Sequence, residues 1–253
     1  MSPDAAGLAL HIALFAVAGF IAQMIDGTLG MAYGVSATTL LLSFGVPPAF
    51  ASASVHTAEV VTTAFSGYHH WRAGNVLGTF VRKLLVPGVL GGITGAYLLT
   101  AIPGDAIKPF IAAYLLVMGV IILAKAWRRS VHVGSEKHLV PLGLAGGFFD
   151  AIGGGGWGPI VVGTLLARGN EPRTTIGSVN FAEFFVTFAT SATFLFTIGI
   201  TNWPAIVGLA IGGAIAAPIA ARLAGRIPAR PMMFSVGALV ILLSIRTIFL
   251  ALR

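Results

Sequence analysis

An all-α polytopic membrane fold, made of two similar halves in opposite orientation, is what this sequence predicts, and three observations carry that expectation. The chain is 57% hydrophobic and only 9% charged over 253 residues, far from the averages of soluble domains. Segments such as 84–102, 110–124 and 203–221 hold no formal charge and approach or reach the length needed to cross roughly 30 Å of hydrocarbon. Sliding the chain over itself by 124 positions without gaps superposes Asp26 on Asp150, Gly30 on Gly154, Gly34 on Gly158, Pro48 on Pro172, Glu59 on Glu183 and Thr63 on Thr187. Leu pairs coincide by chance in so apolar a chain, whereas matched Asp, Glu and Pro indicate duplication. The halves are residues 1–130, with the start of a linker, and 131–253.

Each half opens with two elements parted by glycines, 8–25 then 35–44 in the first and 139–149 then 160–167 in the second. The first segment lacks the basic flank of a cleavable signal and reads as mature structure. The second member of each pair is too brief to span comfortably, which suits half-helices or tilted segments meeting near the midplane. Three longer spans follow: 49–68, 84–102 and 107–126 in the first half, and 175–198, 203–221 and 232–250 in the second.

The net charge of +7 suggests no nucleic-acid partner, because the basic residues sit in short loops where they set orientation in a bilayer. Arg72, Arg82, Lys83, Lys125, Arg128, Arg129 and Lys137 place the loop after span 49–68 and the inter-half linker in the cytoplasm. Arg168 and Arg173 place the loop before span 175–198 there, although its counterpart around Gly45 to Pro48 is uncharged. With Arg222, Arg226 and Arg230, twelve of fifteen basic residues lie inside, leaving Lys108 and Arg253 outside and Arg246 within a span. Equivalent loops thus fall on opposite sides, an arrangement found in secondary transporters. With no cysteine in the chain, disulfides and thiolate chemistry are excluded.

Two motifs carry candidate chemistry. The run Asp150-Ala151-Ile152-Gly153-Gly154-Gly155-Gly156-Trp157-Gly158-Pro159 is costly as ordinary helix, and irregular backbone in a membrane must face protein or a wet cavity. It reads either as a cavity lining, with helix N–H groups placed for an anion after Pro159, or as a device for close helix packing. The cavity reading makes Gly153, Gly154, Gly155, Gly156, Trp157 and Gly158 substrate-binding, together with Gly30, Tyr33 and Gly34 of the first half. The second motif is Ser54-Val55-His56-Thr57-Ala58-Glu59, repeated as Ser178-Val179-Asn180-Phe181-Ala182-Glu183. Helical spacing puts His56, Glu59 and Thr63 on one face, and Asn180, Glu183 and Thr187 on the equivalent face. Asn180 is a further candidate for the substrate. Asp26, His56, Glu59, Asp150 and Glu183 are candidates for coupling or gating, since ionisable groups inside a membrane are expensive and usually functional. The competing reading makes the glutamates neutral glue between helices and His56 a satisfied buried histidine. Arg246 either neutralises an anion or snorkels to the surface.

No HExxH pattern occurs, and His56-Thr57-Ala58-Glu59 has the wrong order for a zinc protease. No enzyme, metal site or cofactor is therefore expected.

The run Asp150 to Pro159, followed by Arg173 and by Gly177-Ser178-Val179-Asn180-Phe181-Ala182-Glu183-Phe184-Phe185, resembles the TauE/SafE sulfite exporter family of membrane permeases. The resemblance extends over almost the whole chain. It implies a multi-pass protein of a prokaryotic inner membrane that moves sulfite, thiosulfate, sulfoacetate or a related sulfur anion. Lipid as solvent follows from the composition, and protons as a second partner follow from carboxyls at Glu59 and Glu183 beside an anion site. The first half departs from the glycine-rich pattern, carrying Leu29, Met31 and Ala32 where the second has Gly153, Gly155 and Gly156.

The charge distribution makes one topological prediction, that both chain termini face the non-cytoplasmic side. Reporter fusions at residues 1 and 253 should register outside, and cytoplasmic labelling of either would reject the orientation.

Overall fold

The computed structural model describes residues 5–127, 137–224, 226 and 228–251. Ten α-helices and one π-helical turn account for nearly all of them, and no strand occurs among the described residues. The first half holds α1 (Ala5–Leu29), α2 (Tyr33–Ser43), α3 (Pro48–Arg72), α4 (Gly78–Ala101) and α5 (Gly104–Trp127). The second holds α6 (Leu139–Gly153), the π-turn Gly158–Val162 running into α7 (Gly163–Ala167), α8 (Pro172–Thr197), α9 (Trp203–Leu223) and α10 (Ala229–Ala251). Six helices, α1, α4, α5, α8, α9 and α10, are long and apolar enough to cross a membrane. The 25-residue α3 has the length too, but its Ser, Thr, His and Glu content lowers its hydropathy. Arg128, Arg129 and Arg253, which the orientation argument uses, and both termini lie outside the described residues.

Helix boundaries differ from the sequence reading most at the start of α4, which begins at Gly78 rather than 84 and so takes in Arg82 and Lys83, and next at the glycine breaks. Helix α1 runs a turn beyond residue 25, and α6 continues into the glycine run as far as Gly153. Only 154–156 leave helical geometry in the second break, because the Asp150 carbonyl accepts from Gly155 N (3.1 Å) and prolongs α6. Both breaks turn on a glycine at positive φ, Gly30 at 69° and its counterpart Gly154 at 63°, a conformation an L side chain disfavours.

Packing follows the repeat. Helix α1 packs on α9, and its counterpart α6 packs on α4; α3 packs on both α8 and α9, as α8 packs on both α3 and α4; α5 packs on α10. Each contact therefore recurs with the halves exchanged. Thr63 and Thr187, equivalent by sequence, meet hydroxyl to hydroxyl at 3.3 Å across the α3–α8 interface.

Small residues allow these approaches, as helix association in lipid requires. A methyl group at Gly147 would strike the Gly88 carbonyl oxygen of α4, and one at Gly212 would strike the Ala16 carbonyl oxygen of α1. At the start of α8 the Glu171 carboxylate accepts from Arg173 N (3.0 Å) and Thr174 N (2.7 Å). Slight burial raises the Glu171 carboxyl, but these N–H groups, the Thr174 hydroxyl and the Arg173 charge outweigh it and hold the group below its ordinary value.

Two stability predictions follow from this packing. Gly147→Ala and Gly212→Ala should each destabilise the detergent-solubilised protein by about 1–3 kcal/mol through overpacking. Gly104→Ala, whose added methyl meets nothing closer than Pro48 at 3.7 Å, should leave the unfolding midpoint unchanged. Because the folded-state value of Glu171 is depressed, its cap stabilises above the ordinary carboxylate range, and that stability is lost as pH falls through the folded value. Glu171→Ala should cost about 1 kcal/mol at neutral pH and nothing once the wild-type carboxylate is protonated, as melting curves taken across acid pH can check.

A buried carboxylate centre where the two broken helices meet

Each Asp that precedes a break turns its carboxylate across the gap. Asp150 Oδ1 accepts from Gly156 N (2.7 Å) and Trp157 N (2.9 Å), the donors just ahead of the π-turn. In the first half the Asp26 carboxylate faces the N–H of Tyr33, the equivalent of Trp157, across its own break. These donors would otherwise be orphaned in a medium without water. The sequence reading placed an anion on the N–H groups at the end of the glycine run, and here a side-chain carboxylate already satisfies the two at Gly156 and Trp157.

The glycines themselves are enclosed by protein. A methyl group at Gly155 would run into Val35 N and the Gly34 carbonyl carbon, one at Gly158 into Met31 Cα and the Gly30 oxygen, and one at Gly34 into Gly155 Cα and Glu59 Oε1. Gly153 and Gly156 face the Tyr114 ring and hydroxyl, and Gly154 faces Thr38. The two turns thus press backbone on backbone, pinned by Thr38 Oγ1 donating to the Gly154 carbonyl and Tyr114 Oη donating to the Gly155 carbonyl (3.2 Å). Close packing, the alternative to a cavity lining, is what the glycines do in this conformation.

The other substrate candidates are also engaged. Tyr33 Oη donates to the Leu209 carbonyl (3.0 Å), Trp157 Nε1 to the Val179 carbonyl (3.2 Å), and Asn180 Nδ2 to the Ile176 carbonyl (3.2 Å). Asn180 Oδ1 accepts from Ser66 (2.8 Å). Arg246 neither neutralises the centre nor merely snorkels: it donates to the Ser43 carbonyl at the C-terminal end of α2, where a cation is favoured. Two apolar cavities, about 320 and 590 Å³, lie between α1, α2 and their neighbours, away from the glycines. Leu14 and Leu40 line both, His11 lines the larger, and neither lining includes a Lys or Arg that would hold an anion.

The coupling candidates do come together. Asp26, Glu59, Asp150 and Glu183 are all buried and close enough to interact electrostatically with one another. No Lys or Arg pairs with any of them among the described residues. The partner of Asp150 is His56, whose Nε2 stands 3.2 Å from Oδ2. His56 Nδ1 lies 2.9 Å from the Ser52 carbonyl, and Ser52 Oγ donates to the Ala151 carbonyl (2.7 Å) of the other half. One Glu59 oxygen, Oε2, is buried without a partner. Along α3 and α8 the polar seam continues through Thr57–Ser191 (3.0 Å), Thr63–Thr187 and Ser66–Asn180.

Sequence reasoning missed Ser52, Thr38, Tyr114 and Lys125. Ser52 stood one turn before His56 on the same face and was recoverable from spacing. Tyr114 lies in an otherwise apolar segment with no local signal. Lys125 was counted with the cytoplasmic linker, but its ammonium reaches the Pro159 carbonyl in the π-turn.

A protein of Bacillus subtilis (strain 168) described as "Probable membrane transporter protein YtnM" is 44% identical over 245 residues, covering 93% of this chain and 82% of that protein. No solved structure matches the chain. The family model described as "Sulfite exporter TauE/SafE" matches residues 15–247. With six membrane-competent helices, two packed breaks and a match across nearly its full length, the chain belongs to the TauE/SafE family of membrane transporters.

Proposed function

We propose that this protein is a secondary transporter that carries a small sulfur-containing anion, of the sulfite, thiosulfate or organosulfonate type, across a prokaryotic inner membrane by alternating access. The substrate class rests on the family description. The single observation that supports the mechanism is the reciprocal packing of the two halves, with every major contact recurring when the halves are exchanged and equivalent threonines meeting between α3 and α8. If the halves lie antiparallel in the membrane, exchanging their conformations converts a site open to one side into a site open to the other.

The anion would bind where the two turns meet, around Gly30, Tyr33, Gly34 and residues Gly153, Gly154, Gly155, Gly156, Trp157 and Gly158, once the halves part and the backbone contacts between Gly34 and Gly155 open. In the present conformation this junction is closed. Its surroundings are acidic, so an anion needs compensation. Glu183 on α8 is proposed to take up a proton as the anion binds, in a field set by Asp26 on α1, His56 and Glu59 on α3, and Asp150 on α6. A protonated carboxyl neither repels the anion nor lacks a donor for it, which links the two ligands.

Purified protein in liposomes should give saturable flux of sulfite, thiosulfate or sulfoacetate, exceed its flux of chloride, and accelerate when an acid-inside or acid-outside gradient is imposed. Glu183→Gln should keep anion exchange and lose the response to the gradient. Wild-type flux indifferent to pH would support an uncoupled uniporter, and non-saturating flux a channel.

A further inference from the structure

The arrangement around His56 has a valence problem that points to a ligand. The Ser52 carbonyl, 2.9 Å from His56 Nδ1, can only accept, and the Ser52 hydroxyl, 3.2 Å from the same nitrogen, gives its one hydrogen to the Ala151 carbonyl, so Nδ1 carries the hydrogen. In the neutral ring Nε2 then presents a lone pair, and what it faces at 3.2 Å is Asp150 Oδ2. Asp150 is itself oriented, since Oδ1 is held by Gly156 N and Trp157 N. A ring nitrogen fixed by a hydrogen bond from its other nitrogen to a carbonyl, facing a carboxylate fixed by its own partners, is how metal ligands are held by their surroundings. Something positive belongs between the two acceptors.

A proton alone would satisfy Nε2 and Oδ2 but leaves a third group unexplained. Glu59 is 3% exposed, and its Oε2 has no partner. One ligand atom each from His56, Glu59 and Asp150 lie within 4.8 Å of one another. His56 and Glu59 stand at i and i+3 on α3, a spacing that helical bundles use for metal ligands. Ligand lengths of about 2.0–2.2 Å put tetrahedral donors roughly 3.3 Å apart, close to the separation of Nε2 and Oδ2. Two carboxylates and a neutral imidazole also balance a dication.

We propose that His56 Nε2, Asp150 Oδ2 and the Glu59 carboxylate bind one first-row divalent cation of the zinc type, leaving a fourth position open. The site joins the halves, with two ligands on α3 and one on α6. It also answers the electrostatic difficulty of the proposed transport: the cation cancels two of the four buried carboxylates, and its open position offers an anionic sulfur oxyanion a direct ligand bond. That last role rests on the transport reading; the cation site does not.

Binding is therefore tested without transport. Full-length protein carrying a histidine-free tag, stripped with chelator in detergent, is titrated with Co²⁺ alone and then back-titrated with Zn²⁺. One equivalent per chain should bind, with the intense visible absorption of low-coordinate Co²⁺ that Zn²⁺ abolishes. Glu59→Gln, Asp150→Asn and His56→Ala should each weaken binding by more than the roughly 10–100-fold that loss of an outer-shell partner costs. His11→Ala and His69→Ala should leave it unchanged. Failure of wild-type protein to bind Co²⁺, or binding that survives His56→Ala or disappears with His69→Ala, overturns the proposal and leaves a shared proton between His56 and Asp150. If a variant is not monodisperse, coupling of bound Cu²⁺ to one imidazole nitrogen in the wild-type electron paramagnetic resonance spectrum serves instead, and its absence is equally fatal. Anion flux persisting in chelator-treated liposomes would remove the cation from transport without touching the transport reading.

Discussion

Backbone groups freed inside a membrane must find partners within the protein, and that requirement governs this molecule at two points. Breaking α1 from α2 and α6 from the π-turn liberates N–H donors at a depth where water is scarce. The Asp150 carboxylate receives two of them and the Asp26 carboxylate faces the N–H of Tyr33, and each acid stands the same distance before its break. Once the acids are committed there, the rest of the interior arranges itself around them. The opposing turn supplies its glycines so that backbone can approach, and His56 turns toward the oxygen that Asp150 has left over.

The cost of this solution is negative charge. Four carboxyls occupy one buried region, and the chain's fifteen Lys and Arg residues contribute none to it among the described residues. Lys125 comes nearest in kind, spending its charge on the Pro159 carbonyl, an oxygen made available where the π-turn disturbs the ordinary helical ladder. A transporter that buries four carboxyls in one region must neutralise them by protons, by a cation or by both.

Much of the architecture was legible in the sequence because lipid imposes a coarse grammar: charge-free runs, basic loops and matched Asp, Glu and Pro at a fixed offset. The spans match the helices to within a turn or so except at the start of α4, six residues earlier than the charge-free run suggested, with smaller differences at the glycine breaks and in α3. The four carboxyls brought together were singled out by the expense of placing such groups in spans. What the sequence could not convey was the partner of each group. Gly155 looked like a cavity lining because nothing local reveals that Val35 lies against it. Asp150 was singled out as a buried acid, but its second use, accepting the Gly156 and Trp157 N–H groups, depends on a backbone geometry that the sequence does not display. Tyr114 was invisible among the apolar residues of α5, and the His56–Glu59 spacing, dismissed as a protease motif in the wrong order, gained meaning only when α6 brought a third donor to it.

The hydroxyl contact between Thr63 and Thr187 has the form of an isologous contact, in which a surface patch meets its own copy. Such a contact is what two identical half-size chains would make on pairing across a two-fold axis. Joining the halves into one polypeptide removes the need for the two positions to stay alike, and the centre around them records the resulting divergence: His56 on one side corresponds to Asn180 on the other. The ring nitrogen that faces Asp150 is thus a feature no symmetric ancestor with Asn at both positions would have had, and it makes the two sides of the buried centre chemically inequivalent.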